Sequence, residues 1–112
     1  MKLSDYVIDF LARRGVSHVF GISGGAAVHL FDSTAGHPAV DYVCTQHEQS
    51  AAIAADGYAR VTGRLGVAIT TSGPGATNLL TGTCCSYYDS VPTMMITGQV
   101  VSKSLKTESI RC

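Results

Sequence analysis

The sequence predicts an α/β fold of three layers, α/β/α, built on a parallel sheet. Short apolar runs of strand length alternate along the chain with segments whose apolar residues recur near every 3.6 positions. The runs are apolar at successive positions, as strands become when right-handed crossover helices cover both faces of a sheet. Three polar or glycine-rich turns lead from strand into helix, the grammar of repeated strand–turn–helix units.

Element by element, Leu3, Val7, Phe10 and Leu11 recur at helical spacing. Ser4 or Asp5 is expected to cap this helix, Arg13 and Arg14 suit its electronegative end, and Gly15 suits the C′ position. Residues 18–22 read as a strand closed by Ser23-Gly24-Gly25, after which Ala27, Leu30, Phe31 and Thr34 return to a helical period. Residues 40–44 read as strand, 49–61 as helix, 65–71 as strand, 76–88 as helix and 93–97 as strand. Beyond Gln99 periodicity is lost through Cys112, so residues 1–112 are expected to be the N-terminal part of a domain that continues past them.

A length of 112 residues suits one domain and is short for two. Eight Lys plus Arg balance eight Asp plus Glu, with no block of either sign, which argues against nucleic acid and anionic membranes as partners. Only 14% of residues are charged against 46% apolar, so part of the surface is expected to lie under a sister domain or second subunit. The four cysteines show no Cys-x-x-Cys spacing and no close histidine pair, which argues against zinc. Cys84 and Cys85 are expected as buried small hydrophobes in a reducing, cytoplasmic setting. No apolar run approaches the ~20 residues of a membrane span, and the first residues lack an apolar leader core.

In open parallel sheets ligands bind beyond the carboxyl ends of the strands, so the three turns are where function is sought. The second, Thr45-Gln46-His47-Glu48-Gln49, puts a carboxylate at the start of a helix lined by Ala51, Ala52, Ala54, Ala55 and Ala59. Those small residues allow close packing. Glu48 on its own is explained by the helix dipole, worth about 0.3–1 kcal/mol, and His47 as a polar loop residue. The third turn, Thr71-Ser72-Gly73-Pro74-Gly75-Ala76-Thr77-Asn78, is stiffened by proline while its glycines admit a ligand to the backbone. A P-loop is excluded, since no Gly-Lys-Ser/Thr closes a glycine turn. The order Gly21-x-x-Gly24-Gly25 and then Glu48 keeps a dinucleotide (NAD or FAD) domain as an alternative, although its glycine spacing departs from the fingerprint. A non-catalytic assembly module is a third reading.

Four ordered segments carry a resemblance: Val19-Phe20-Gly21-x-x-Gly24-Gly25; His47-Glu48-Gln49 followed by the alanines and Gly57-Tyr58-Ala59-Arg60; Ser72-Gly73-Pro74-Gly75-Ala76-Thr77-Asn78; and Asp89-Ser90-Val91-Pro92 with Ile96-Thr97-Gly98-Gln99. Together they resemble the N-terminal pyrimidine-binding domain of thiamine-diphosphate-dependent enzymes of the acetolactate synthase and pyruvate oxidase family. The resemblance implies a lyase or transferase that decarboxylates a 2-oxo acid such as pyruvate and transfers or releases the acyl carbanion, with the cofactor carrying that chemistry. It implies that Glu48 is catalytic, bonding ring nitrogen N1′ of the aminopyrimidine. By the same resemblance, Pro74 and Asn78 line the pyrimidine pocket, Gly24 and Gly25 approach the cofactor with their backbone, and Gln99 lies near the reacting carbon. Mg2+ is implied on ligands of another domain, FAD is left open, and the full-length form is expected to be a homodimer or homotetramer. The isolated chain is expected to be inactive. Ile22-Ser23 replaces the Tyr-Pro usual in acetolactate synthases, and Cys84-Cys85-Ser86-Tyr87-Tyr88 replaces an apolar, alanine-rich stretch, which argues against acetolactate as the product. The tail from Val100 to Cys112 lacks the short basic spacer of acetolactate synthases and is closer to family members acting on other 2-oxo compounds.

Overall fold

The structure, a computed structural model, describes residues 1–106. Helix α1 (Leu3–Arg13) starts at Lys2, whose backbone N–H donates to the Asp5 carboxylate at 3.0 Å. Neither Ser4 nor Asp5 is itself the N-cap residue: Ser4 is turned inward, where its hydroxyl accepts from Ser33 at 2.8 Å. The predicted C′ glycine is present. Gly15 has φ +82°, its N–H reaches the Ala12 carbonyl at 2.9 Å, and the Val16 N–H reaches Leu11 at 3.1 Å, the paired bonds of a Schellman ending.

The chain then runs through β1 (His18–Gly21), α2 (Val28–Ala35), β2 (Asp41–Cys44), α3 (Glu48–Thr62), β3 (Gly66–Thr70), α4 (Pro74–Thr77), α5 (Leu80–Tyr88) and β4 (Thr93–Thr97). A short 3-10 turn, Ser104–Lys106, follows. All strand pairs are parallel, in the order β2-β1-β3-β4. From β1 the chain moves outward to β2 and then crosses back to β3 on the other side of β1. The order therefore reverses between β1 and β3, and a crevice opens there at the carboxyl ends of the strands.

Alternation along the strands builds the three layers. Val19 stands opposite Val67, and Phe20 opposite Ala68. Val19, Val67 and Ile69 join Ile8 and Leu11 of α1 and Phe31 of α2 on one face. Ala68 and Phe20 pack on the other face against Ala51, Ala52 and Ala55 of α3 and Leu79. Full burial of side chains such as Ile8, Leu11 and Ile69 stabilises the fold by about 1.5–3 kcal/mol apiece.

The small-residue surface of α3 does bring a neighbour close. A Cβ on Gly82 of α5 would lie 2.4 Å from the Ala52 Cβ. Gly82→Val is therefore expected to overpack the α3–α5 contact and cost about 1–3 kcal/mol. An unchanged urea midpoint would show that the helices can part without penalty.

Three sequence expectations are corrected. The helix expected over 76–88 is broken into α4 and α5. The buried Thr70 hydroxyl donates to the Gly75 carbonyl at 3.1 Å, and the Leu79 N–H turns to Ala76 at 3.2 Å instead. Cys84 and Cys85 are exposed rather than buried, because α5 presents Gly82 and Ser86, four apart, to α3 and so turns the cysteines outward. Strand β2 is exposed at all four positions, not covered on both faces; it is an edge strand, with Tyr42 meeting Phe31 edge-on at 4.9 Å. Of the tail expected to lack periodicity, residues 107–112, including Cys112, lie outside the described residues.

Candidate functional site at the carboxyl ends of the strands

The turn after β2 is built to begin a helix. His47 has extended backbone at the N-cap and its Nδ1 accepts the Gln49 N–H at 3.0 Å, while the Thr45 hydroxyl donates to the His47 carbonyl at 3.0 Å. His47 is thus a capping residue. Glu48 follows as the first residue of α3 and is half-buried. Its Oε2 accepts a hydrogen bond from the Asn78 side-chain amide at 2.9 Å. Its Oε1 lies 3.6 Å from where a Cβ on Gly75 would stand. The Asn78 amide, and secondarily Glu48's own backbone N–H, hold the carboxyl below the usual glutamate range, against the opposing effect of burial.

The turn after β3 supplies the facing wall. Pro74 is the first residue of α4, exposed, and its carbonyl accepts the Asn78 N–H at 2.9 Å. Proline suits that position because its missing N–H would have no partner there. Gly73, ahead of it, has φ +65°, a conformation that favours glycine.

Thr71, which the sequence placed at the end of a strand and at the start of the third turn, was not singled out there as a site residue. Its hydroxyl accepts the Ala26 N–H at 3.3 Å, tying the third turn to the first. A Cβ on Gly24 would lie 2.6 Å from the Thr71 Cβ, and one on Gly75 2.8 Å from its Cγ2. Gly24 and Gly75 thus leave room that Thr71 takes up, and the advance signal was its position between the strand and the Ser72-Gly73-Pro74-Gly75 turn.

The structure brings Glu48 and Asn78 together, places Pro74 one helical turn before Asn78 with its carbonyl bonded to the Asn78 N–H, and joins Gly24 to them through Thr71 and Gly75. Gly25 and Gln99 meet elsewhere, along an open groove of about 470 Å3 that Thr71 and Ser72 also line. The Gln99 side-chain oxygen accepts the N–H of Val100 at 2.8 Å. A more apolar cavity of about 540 Å3 lies between α1, α2 and Ile96 and contains none of these residues. Among the described residues no three His, Cys, Asp or Glu side chains gather as a metal site, and no helix is long and apolar enough to cross a membrane.

Further along α3 is a polar cluster that the sequence did not reveal. Asp56, buried in the α3–α5 interface, accepts from the Ser86 hydroxyl at 2.7 Å and from Arg60 Nε. Arg60 also bonds Asp89. Arg60 and Asp89 stood in two of the four quoted motifs, 29 positions apart, with nothing local to pair them.

Residues 1–111 match the family described as thiamine pyrophosphate enzyme, N-terminal TPP binding domain. The chain is 48% identical over 110 residues to an acetolactate synthase of Arthrospira platensis, an alignment covering 94% of this chain and 19% of that protein. It is 44% identical over 111 residues to the acetolactate synthase isozyme 2 large subunit of Escherichia coli K12, covering 99% and 20% respectively. A probable acetolactate synthase large subunit of Methanocaldococcus jannaschii is 43% identical over 111 residues, covering 99% and 19%. The chain spans about a fifth of the length of these relatives.

Proposed function

The chain belongs to the thiamine pyrophosphate enzyme family, as its N-terminal TPP-binding domain, and from that premise we propose that it holds the aminopyrimidine of thiamine diphosphate in a longer enzyme of the acetolactate synthase type. The observation that carries the reading is the Glu48 carboxylate. It stands half-buried at the start of α3, with Oε2 bonded to Asn78 and Oε1 beside a glycine. That arrangement fits a ring nitrogen: with Oε2 bonded to Asn78, the second carboxylate oxygen, Oε1, is left to accept a bond from the ring or hold a proton for it.

Each residue's part follows from its place. The Asn78 amide and the backbone at the start of α3 favour ionised Glu48 and burial opposes them less, so Glu48 stands as the charged acceptor with Oε1 available to the ring. Pro74 and Asn78 form the wall facing Glu48. Gly24 and Gly25 offer backbone without side chains, and Gln99 brings an amide to the groove that Gly25 also lines. Thiamine diphosphate, when bound, supplies the electron sink for breaking the bond between the carbonyl carbon and the carboxylate of a 2-oxo acid such as pyruvate. The family match and the relatives favour this reading over a dinucleotide domain or an assembly module.

The remaining parts of the proposal concern the longer protein. Residues 1–112 are the N-terminal part of the pyrimidine-binding domain, the Mg2+ and diphosphate ligands lie on a different domain, and the working form is a cytoplasmic homodimer or homotetramer. Calorimetric titration with thiamine diphosphate and Mg2+ tests both levels at once. The full-length protein is expected to bind tightly and the 112-residue chain weakly or not at all. Failure of the full-length protein to bind sinks the functional reading; tight Mg2+-dependent binding by the chain alone sinks the division of labour.

A further inference from the structure

We propose that Asn78 is a positioning residue for Glu48: it commits Oε2 and leaves Oε1 as the oxygen that faces the ligand. This rests on the functional reading only for the ligand's identity; the assignment of the two oxygens stands on geometry. Asn78 Nδ2 lies 2.9 Å from Oε2 of a residue 30 positions away, and it reaches that far because the helix is interrupted at its own position. Asn78 follows α4 and Leu79 precedes α5. The interruption traces to Thr70, which is fully buried and whose hydroxyl donates to the Gly75 carbonyl at 3.1 Å. A helix continuing from Pro74 through Leu80 would use that carbonyl for the Leu79 N–H; here the N–H goes to Ala76 at 3.2 Å.

Once Oε2 is bonded, the carboxylate cannot rotate without breaking a charge-assisted hydrogen bond, the stronger kind. Oε1 is then held beside Gly75, 3.6 Å from where a Cβ on that glycine would stand, on a side that the Thr71 methyl also packs against. The same bond is the first cause of the lowering of the Glu48 carboxyl, with Glu48's own backbone N–H second. Asn78 thus acts through Glu48, a role separate from lining a pocket.

The test needs no cofactor. In the 112-residue chain, the Glu48 side-chain carboxyl is followed by carbon NMR against pH, in the native protein and in Asn78→Leu, which keeps roughly the same bulk without a donor. The titration midpoint is expected to move up towards the ordinary glutamate range in Asn78→Leu and to stay low in Asn78→Gln if the longer amide still reaches. An unmoved midpoint in a natively folded Asn78→Leu overturns the proposal. Should Asn78→Leu not fold, the side-chain NH2 resonances of Asn78 give a second reading. They are expected to shift as Glu48 titrates in the native chain and to lose that shift in Glu48→Gln; an identical pH response in both overturns the proposal. A moved midpoint alongside a full-length enzyme indifferent to Glu48→Gln would leave the positioning role standing and sink the functional reading instead.

Discussion

On the proposed function, Glu48→Gln in the full-length protein is expected to lower turnover of a 2-oxo acid such as pyruvate by about 10²–10⁴-fold, the usual contribution of a positioned acid or base. The substitution keeps size and leaves an oxygen able to accept from Asn78, so the Glu48–Asn78 contact and the start of α3 survive. What is lost is the capacity to hold and release a proton. The loss is therefore expected in kcat, with the fold and melting temperature little changed. Steady-state kinetics beside thermal melts separate the outcomes. Undiminished turnover would mean that Glu48 serves only the helix dipole, an effect of about 0.3–1 kcal/mol.

Asp56→Ala is expected to be among the most destabilising single substitutions in the chain, for reasons distant from catalysis. The Ser86 hydroxyl, 2% exposed, donates to Asp56 at 2.7 Å. Without that acceptor it is a buried donor lacking a partner, a cost of about 1–3 kcal/mol. Arg60 loses one of its two carboxylates at the same time. The Arg60 guanidinium first, and the Ser86 hydroxyl second, hold the Asp56 carboxyl below the usual aspartate range. A carboxyl whose folded pKa is depressed stabilises the fold fully above its unfolded value and loses that contribution as pH falls through the folded one. The stability gap between the native chain and Asp56→Asn is accordingly expected to be widest near neutrality and to close on acidification. Urea titrations over a pH series check this, and a gap independent of pH would remove the charge from the explanation.

Much of the fold was legible because it depends on local periodicities. The alternation that sends Val19 and Phe20 to opposite faces is visible within single segments. In α1 the helical period was legible but its buried face was not: of Leu3, Val7, Phe10 and Leu11, Leu3 and Phe10 are exposed, and the core takes Ile8 beside Leu11. The break between α4 and α5 was not, since it depends on a Thr70 hydroxyl choosing the Gly75 carbonyl, and nothing in the spacing of 76–88 records that choice. The exposure of Cys84 and Cys85 escaped for a related reason: an apolar composition does not say which side of α5 meets α3. At the site, Glu48 and Asn78 were each identified within their own motifs, but their bond joins turns 30 residues apart. Thr71 was illegible because its importance lies in two absences, the missing Cβ atoms of Gly24 and Gly75.

That wedge makes tolerance at three positions interdependent, and unequally so. The obstruction to alanine at position 75 is the Thr71 methyl, at 2.8 Å, with the Thr71 Cβ a comfortable 3.6 Å away. Serine at 71 would remove the methyl and so license alanine at 75. At position 24 the Thr71 Cβ itself stands 2.6 Å away, and every residue larger than glycine carries that atom. Drift in this corner of the molecule is therefore channelled: 71 and 75 can change as a pair, whereas 24 stays fixed unless 71 becomes glycine and the hydroxyl joining the first and third turns disappears with it.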